Sequence, residues 1–222
     1  MPRNGDEVHL LLQQAALALF CERGFDRTTA AEIAARAGVT ERTFFRHFKD
    51  KREVLFDRAD ELRATLVETI LRTPDVAEPL QVVTGILTGF DWEGLGSREF
   101  QRQRHAVIAA NPELLERDLS KHLGIAVEVA DALRQRGVDA EVAQLAARVG
   151  IQVFLTAYEA WLEACNEVAM ATIGDRLMSL LGTIVPAGIH EPPSSEGEGV
   201  GVPAEPSGRS PRRGRGRPAP EG

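Results

Sequence analysis

The chain has 222 residues, 43% of them hydrophobic, and a formal net charge of -7. That length suits one moderate domain or a small domain joined to a larger one, with enough apolar content for a real core. Two widely separated cysteines, Cys21 and Cys165, argue against a disulfide framework and for a reducing compartment. No apolar run approaches the roughly 20 residues of a membrane span, and the N-terminus shows neither a basic segment leading into an apolar run nor a cleavage site. The expected location is cytoplasmic, in association with the nucleoid.

The charge is unevenly spread. Residues 1–52 hold nine Lys/Arg against seven Asp/Glu, residues 53–185 hold twelve against twenty-one, and the remainder is balanced. The acidic surplus therefore lies in the middle, and a polyanion-binding N-terminus remains compatible with an acidic whole, because the local field decides binding.

In chain order the periodic segments read as helix. Leu12, Ala15, Ala16, Leu19 and Phe20 share a helical face, and Gly24 ends that helix. Thr29-Ala30-Ala31-Glu32 is a capping box that opens a second helix through Ala37. Gly38-Val39 is a tight connection, and Thr40 caps a short third helix through Phe48. Asp50-Lys51-Arg52-Glu53 repeats the capping logic and predicts a long helix to about Leu71, before Pro74. Further helices are expected over Pro79–Phe90, from Ser97 to about Ala110, from Pro112 to Arg136, from Asp139 to about Cys165, and from Glu167 to Val185. The stretch DWEGLG reads as a loop between two of them. After Pro186 the composition turns to Pro, Gly, Ser, Glu and Arg, which cannot build a core, so residues 187–222 are expected to be a disordered tail.

Helix, glycine-containing turn, short helix is a helix-turn-helix, whose second helix enters the major groove. With Phe44 toward the core, a rotation of about 100° per residue brings Phe48 to the same side. Arg42 and Arg46 then point outward one turn apart, flanked by Thr43 and Phe45, with Glu41 and His47 at the edges. Two outward arginines suit guanine edges or phosphates. Thr28 and Thr29 stand at a helix N-terminus, which favours phosphate. Lys49 and Lys51 stand at the next helix start, an unfavourable place for cations on dipole grounds; a bound phosphate or simple solvation would each account for them.

The stretch GFDRTTAAEIAARAGVTERTFFRHFKDKREVL resembles the DNA-binding region of the TetR family of transcriptional regulators. The shared pattern is Gly-Phe, paired Thr, a helix with Ile-Ala, Ala-Gly-Val-Thr, then Thr-Phe-Phe-x-His-Phe and Lys-x-x-x-Leu, over about the first 55 residues. The resemblance implies an all-α dimer that usually represses. Its parts would be a helix-turn-helix domain over 1–52 and a larger helical ligand-binding and dimerisation domain over 53–186. It assigns phosphate to Thr28 or Thr29, base contacts to Arg42 and Thr43, and phosphate contacts to His47 and Lys51. Phe45 departs from the pattern, since many members carry tyrosine there; without a hydroxyl it would touch a thymine methyl or pack on sugar.

In the larger part, Phe100, Arg104, Val107 and, less closely, Ile108 share a helical face, so Arg104 lies on an otherwise apolar stripe. An inward arginine needs an anionic partner: a ligand carboxylate or phosphate, or a protein acid such as Glu159 or Glu163. His105 is adjacent and reaches either a pocket or water. Trp92, Phe154, Tyr158 and Trp161 hold most of the remaining aromatic bulk and suit a pocket lining or plain core packing equally. The stretches REFQRQRHAVIAANPELLERDL, ALRQRGVD and AYEAWLEA resemble the ligand domain of an actinobacterial subgroup of the family whose ligands are acyl-CoA-like and which includes the mycofactocin-associated regulators. That resemblance implies an acyl-CoA or similar amphiphile as effector. The last two helices carry surplus apolar surface on more than one flank and are the expected seat of a two-fold homodimer reading a pseudo-palindrome.

Arg215-Gly216-Arg217-Pro218 resembles the core of an AT-hook, which would lie in a narrow A·T minor groove; a solvated linker is the plain alternative. The five histidines show no metal spacing, and no phosphate loop or nucleophile motif appears, so neither an enzyme nor a cofactor is expected. A ligand-released repressor and a constitutive or architectural DNA-binding protein are the two functions the sequence supports.

Overall fold

The computed structural model describes residues 5–56, 59–165 and 167–184. The expected tail at 187–222, with its Arg-Gly-Arg-Pro segment, lies outside the described residues. Among the described residues the chain is all-α: α1 Gly5–Arg23, α2 Ala30–Arg36, α3 Glu41–His47, α4 Ala59–Arg72, α5 Pro79–Thr88, α6 Arg98–Ala109, α7 Pro112–Gln135, α8 Ala140–Glu163 and α9 Met170–Ile184.

The N-terminal helices form as their local signals dictate. In α1 the stripe Leu12, Ala15, Ala16, Leu19 and Phe20 is buried, and Val8 and Leu17 join it. Gly24, at φ +85, turns the chain out of α1, which few side chains tolerate. Thr29 caps α2 with both halves of the capping box: its hydroxyl accepts from Glu32 N–H at 3.2 Å, and the Glu32 carboxylate accepts from Thr29 N–H at 2.9 Å. Thr40 caps α3 by accepting from Thr43 N–H at 3.2 Å.

The predicted continuous helix from Asp50 does not form. Asp50 Oδ1 accepts from the N–H groups of Arg52 and Glu53, at 2.8 and 3.0 Å, and a single 3₁₀ turn, Glu53–Leu55, follows. Phe56 leaves the helical region at φ -119, ψ 4, ahead of α4. The turn buries Val54, Leu55 and Phe56 together. Each such side chain contributes about 1.5–3 kcal/mol, which outweighs the hydrogen bonds a continued helix would add. Two smaller differences have local causes. After α5 ends at Thr88, Trp92 folds back and its indole N–H donates to Leu87 O at 2.8 Å. Glu93–Leu95 makes a 3₁₀ turn within the DWEGLG loop.

Buried side chains gather in two clusters. One joins α1–α3 and the 54–56 turn with Val107 and Ile108 of α6 and Leu114 of α7. The other lies among α4, α5, Trp92, the second half of α7, α8 and α9. Helix α8 is central, packing on α5, α7 and α9. Its approach to α5 is possible because Gly150 has no side chain: a Cβ there would stand 2.7 Å from Val83 Cγ1. Gly174 does the same for α9, where a Cβ would meet Thr88 Cγ2 at 2.7 Å.

Candidate functional site

Two features could carry function, the outer face of α3 and a cavity in the larger part. On α3, Phe44 is fully buried and Phe48 nearly so, which fixes the helix against α1 and α2. Arg42 and Arg46 stand exposed one turn apart, and Glu41 is exposed beside them. Thr43 is half-buried, its hydroxyl 2.9 Å from that of Thr40. Phe45 is 52% exposed and meets Phe44 edge-on, with ring centroids 5.3 Å apart. His47 is half-buried, its ring 5.7 Å from that of His9.

The flanking residues divide. Thr29 is exposed at the start of α2, whereas Thr28 is 1% exposed and donates its hydroxyl to Gly24 O at 2.9 Å. Lys49 is exposed. Lys51 turns inward: its ammonium donates to Phe25 O at 2.7 Å, Thr28 O at 3.0 Å and Asp26 O at 3.4 Å, and lies 4.2 Å from the Phe25 ring centroid. It ties the loop before α2 to the segment after α3, and no α-helix starts at Asp50 for its charge to oppose. Two acids sit near this face and stay ionised. A hydrogen bond from Arg36 holds the Glu22 carboxyl below its ordinary range, and the backbone N–H of Thr29 does the same for Glu32.

The cavity is about 330 Å³, near the lower end of the roughly 300–1,000 Å³ typical of ligand sites. Leu62 and Leu66 of α4, Leu87 of α5, Trp92, and Ile151, Phe154 and Leu155 of α8 make its apolar walls. Trp92 stacks on Phe154 at 4.9 Å. The 54–56 turn closes one side, so residues from the N-terminal cluster line the cavity directly. A polar end is built from Gln101, Arg104 and His105 of α6, Asp118, Lys121 and His122 of α7, and Tyr158 and Glu159 of α8. Gln101 is buried. Its amide nitrogen donates to Gly96 O at 3.0 Å and to Trp92 O, and its amide oxygen accepts from Tyr158 Oη at 2.9 Å. Burial raises the Tyr158 phenol above its ordinary range, with Arg104 opposing. Burial lowers His122, Asp118 opposes that and Arg104 adds to it, so the imidazole is neutral at pH 7.

Of the residues that sequence pointed to here, Trp92, Phe100, Arg104, His105, Phe154 and Tyr158 line the cavity. Ile108 packs in the N-terminal cluster, and Trp161 lies in the other core, with the Arg98 guanidinium 4.6 Å from its ring. Arg104 finds a backbone carbonyl rather than an acid: its Nε donates to Leu55 O at 2.5 Å. Sequence reasoning missed Gln101, Asp118, Lys121, His122 and the 54–56 turn. Gln101 was within reach, since residues 101, 104, 105 and 108 recur at helical spacing on α6. Among the described residues no three His, Cys, Asp or Glu side chains gather as a metal site, and no helix is long and apolar enough to cross a membrane.

Comparison with known proteins adds three findings. Residues 12–57 match the family profile of the bacterial regulatory proteins of the tetR family. The HTH-type transcriptional regulator TcmR of Streptomyces glaucescens is 35% identical over 74 residues, 33% of each chain; the match thus spans a third of that curated relative's length. Among solved structures, SmeT, the repressor of the Stenotrophomonas maltophilia multidrug efflux pump SmeDEF, superposes with a TM-score of 0.52 at 20% identity, over 87% of this chain and 96% of that one. NalD of Pseudomonas aeruginosa gives 0.57 at 17% identity, over 81% and 97%. FadR, the fatty acid degradation regulator of Bacillus halodurans, gives 0.51 at 17% identity, over 78% and 94%. These likenesses establish a common fold. The family match itself rests on the N-terminal unit, where the helix-turn-helix geometry agrees with it.

Proposed function

We propose that the protein is a dimeric transcriptional repressor that leaves a pseudo-palindromic operator when a small amphiphile, such as an acyl-CoA or its acyl chain, enters the cavity. The observation that carries this reading is the shared wall: the 54–56 turn belongs to the core that supports α3 and also lines the cavity. A ligand in the cavity therefore touches the element on which the DNA-binding helices rest. Release requires that the ligand favour one of two states. On DNA, Arg42, Thr43 and Arg46 read or flank base edges, Phe45 packs on a thymine methyl or sugar, and Thr29, His47 and Lys49 face the backbone.

The ligand class is supported by the mostly apolar walls with one polar, cation-bearing end, and the comparison with a fatty acid degradation regulator agrees with it. Dimerisation through α8 and α9 is supported by Val142, Leu145, Leu180 and Ile184, large apolar side chains left exposed on those helices. The test is a mobility shift on DNA from upstream of the gene, or on DNA selected from a random pool, with and without long-chain acyl-CoA. Specific binding released by acyl-CoA is expected. Specific binding that no amphiphile releases would leave a constitutive DNA-binding protein, and no selected sequence at all would end the regulator reading.

A further inference from the structure

We propose that Arg104 is the residue through which the cavity speaks to the DNA-binding unit: an anionic group on an apolar ligand takes the guanidinium and withdraws it from the turn at Leu55 and Phe56. This rests on the reading of the cavity as an effector site. Arg104 lines the cavity, and its Nε–H donates across to Leu55 O at 2.5 Å. Its guanidinium carbon also lies 5.6 Å from the centroid of the Phe56 ring. Arg104 also interacts with the Tyr158 hydroxyl, and neither that group nor the carbonyls of the turn carries a full charge.

Two nearby acids have other partners. Glu53 pairs with Arg117, and Asp118 faces His122 at 3.8 Å. No ion pair joins Arg104 to a carboxylate among the described residues. Guanidinium has five N–H donors, so one carbonyl, the Tyr158 hydroxyl and a ring face leave part of its capacity unused. A carboxylate or phosphate would accept two parallel bonds from the guanidinium fork and bring a full opposite charge, which one neutral carbonyl cannot. The ligand group therefore wins the competition. Arg117, which pairs with Glu53, and Lys121 also approach the Phe56 ring, at 5.7 and 5.8 Å. Once Arg104 turns away, the turn loses its hydrogen bond to α6 and keeps, among others, Leu55 N–H to Arg52 O and Phe56 N–H to Glu53 O.

The test uses the full chain and four probes of equal chain length: dodecanoate, dodecyl phosphate, dodecanol and dodecanoyl-CoA. Binding is read from intrinsic tryptophan fluorescence, release by anisotropy of a selected operator, and the turn by hydrogen exchange at Leu55 and Phe56. In the wild type, dodecanoate or dodecyl phosphate should bind about 10- to 100-fold more tightly than dodecanol, and exchange in the turn should quicken when the anion binds. Arg104→Met should abolish the preference for the anion, and Arg104→Lys should keep part of it. Circular dichroism melting of both variants checks that they fold, and the wild-type comparison of anion with alcohol stands without either. Carboxylate, phosphate and coenzyme A arms separate the sources of the negative group. Equal affinity for dodecanol and the anions, a preference that survives Arg104→Met, or anion binding that leaves exchange in the turn unchanged would each overturn the proposal. Specific operator binding with no response to any probe would overturn the effector reading itself.

Discussion

A lysine ammonium has three N–H donors, and Lys51 directs all of them at the carbonyls of Phe25, Asp26 and Thr28. A hydrogen bond to a charged group contributes about 1.5–3 kcal/mol. Lys51→Met should therefore lower stability by about that amount in urea titration. Among the folded molecules, it should leave the salt dependence of DNA affinity unchanged, whereas Lys49→Ala should lower the slope by about one unit if Lys49 neutralises a phosphate. A lower slope for Lys51→Met would return that lysine to the DNA. Arg42→Ala should cost about 1–3 kcal/mol on the operator and much less on random DNA; equal losses on both would remove its base contact. Phe44, Phe48, Arg42 and Arg46 were legible in the sequence because helical periodicity separates buried from exposed positions directly. Lys51 was not, because its partners are backbone carbonyls from a distant segment, and carbonyls leave no mark in residue identity. Arg104 was half legible: its place on an apolar stripe showed that it needed a partner, but the partner proved to be another backbone carbonyl.

At the scale of elements, the caps at Thr29, Thr40, Ser97 and Asp139 locate four helix starts, because a side-chain oxygen within reach of its own next turn is a local device. The interruption at Phe56 was not visible, since what breaks the helix is burial against other elements. Helix contacts give a paired prediction. Gly150→Ala puts a methyl against Val83 and should destabilise by about 1–3 kcal/mol, even though alanine is the better helix former. Gly124 lies inside α7 with nothing within 4 Å of a built Cβ, so Gly124→Ala should stabilise by about 0.5–1 kcal/mol. Urea midpoints moving in the same direction for both would contradict the close α5–α8 approach.

For the whole molecule, His122 links the cavity to pH. Burial lowers its pKa below the ordinary 6.5, so between those two values the unfolded chain binds more protons than the folded one. Stability should fall as pH drops through that window, and nothing is lost above it. His122→Gln should melt with a smaller difference between pH 7.5 and pH 5.5 than the wild type; an unchanged difference would show that other groups dominate. The core of the N-terminal unit has a separate consequence. Val107, Ile108 and Leu114 complete the cluster formed by α1–α3 and the 54–56 turn, and Leu114 is fully buried. The N-terminal helices are thus no detachable cassette. Grafted onto the larger part of a TetR-family regulator, residues 5–56 would meet a foreign α6–α7 surface, and a chimera that exchanges operator specificity has to carry those three side chains along.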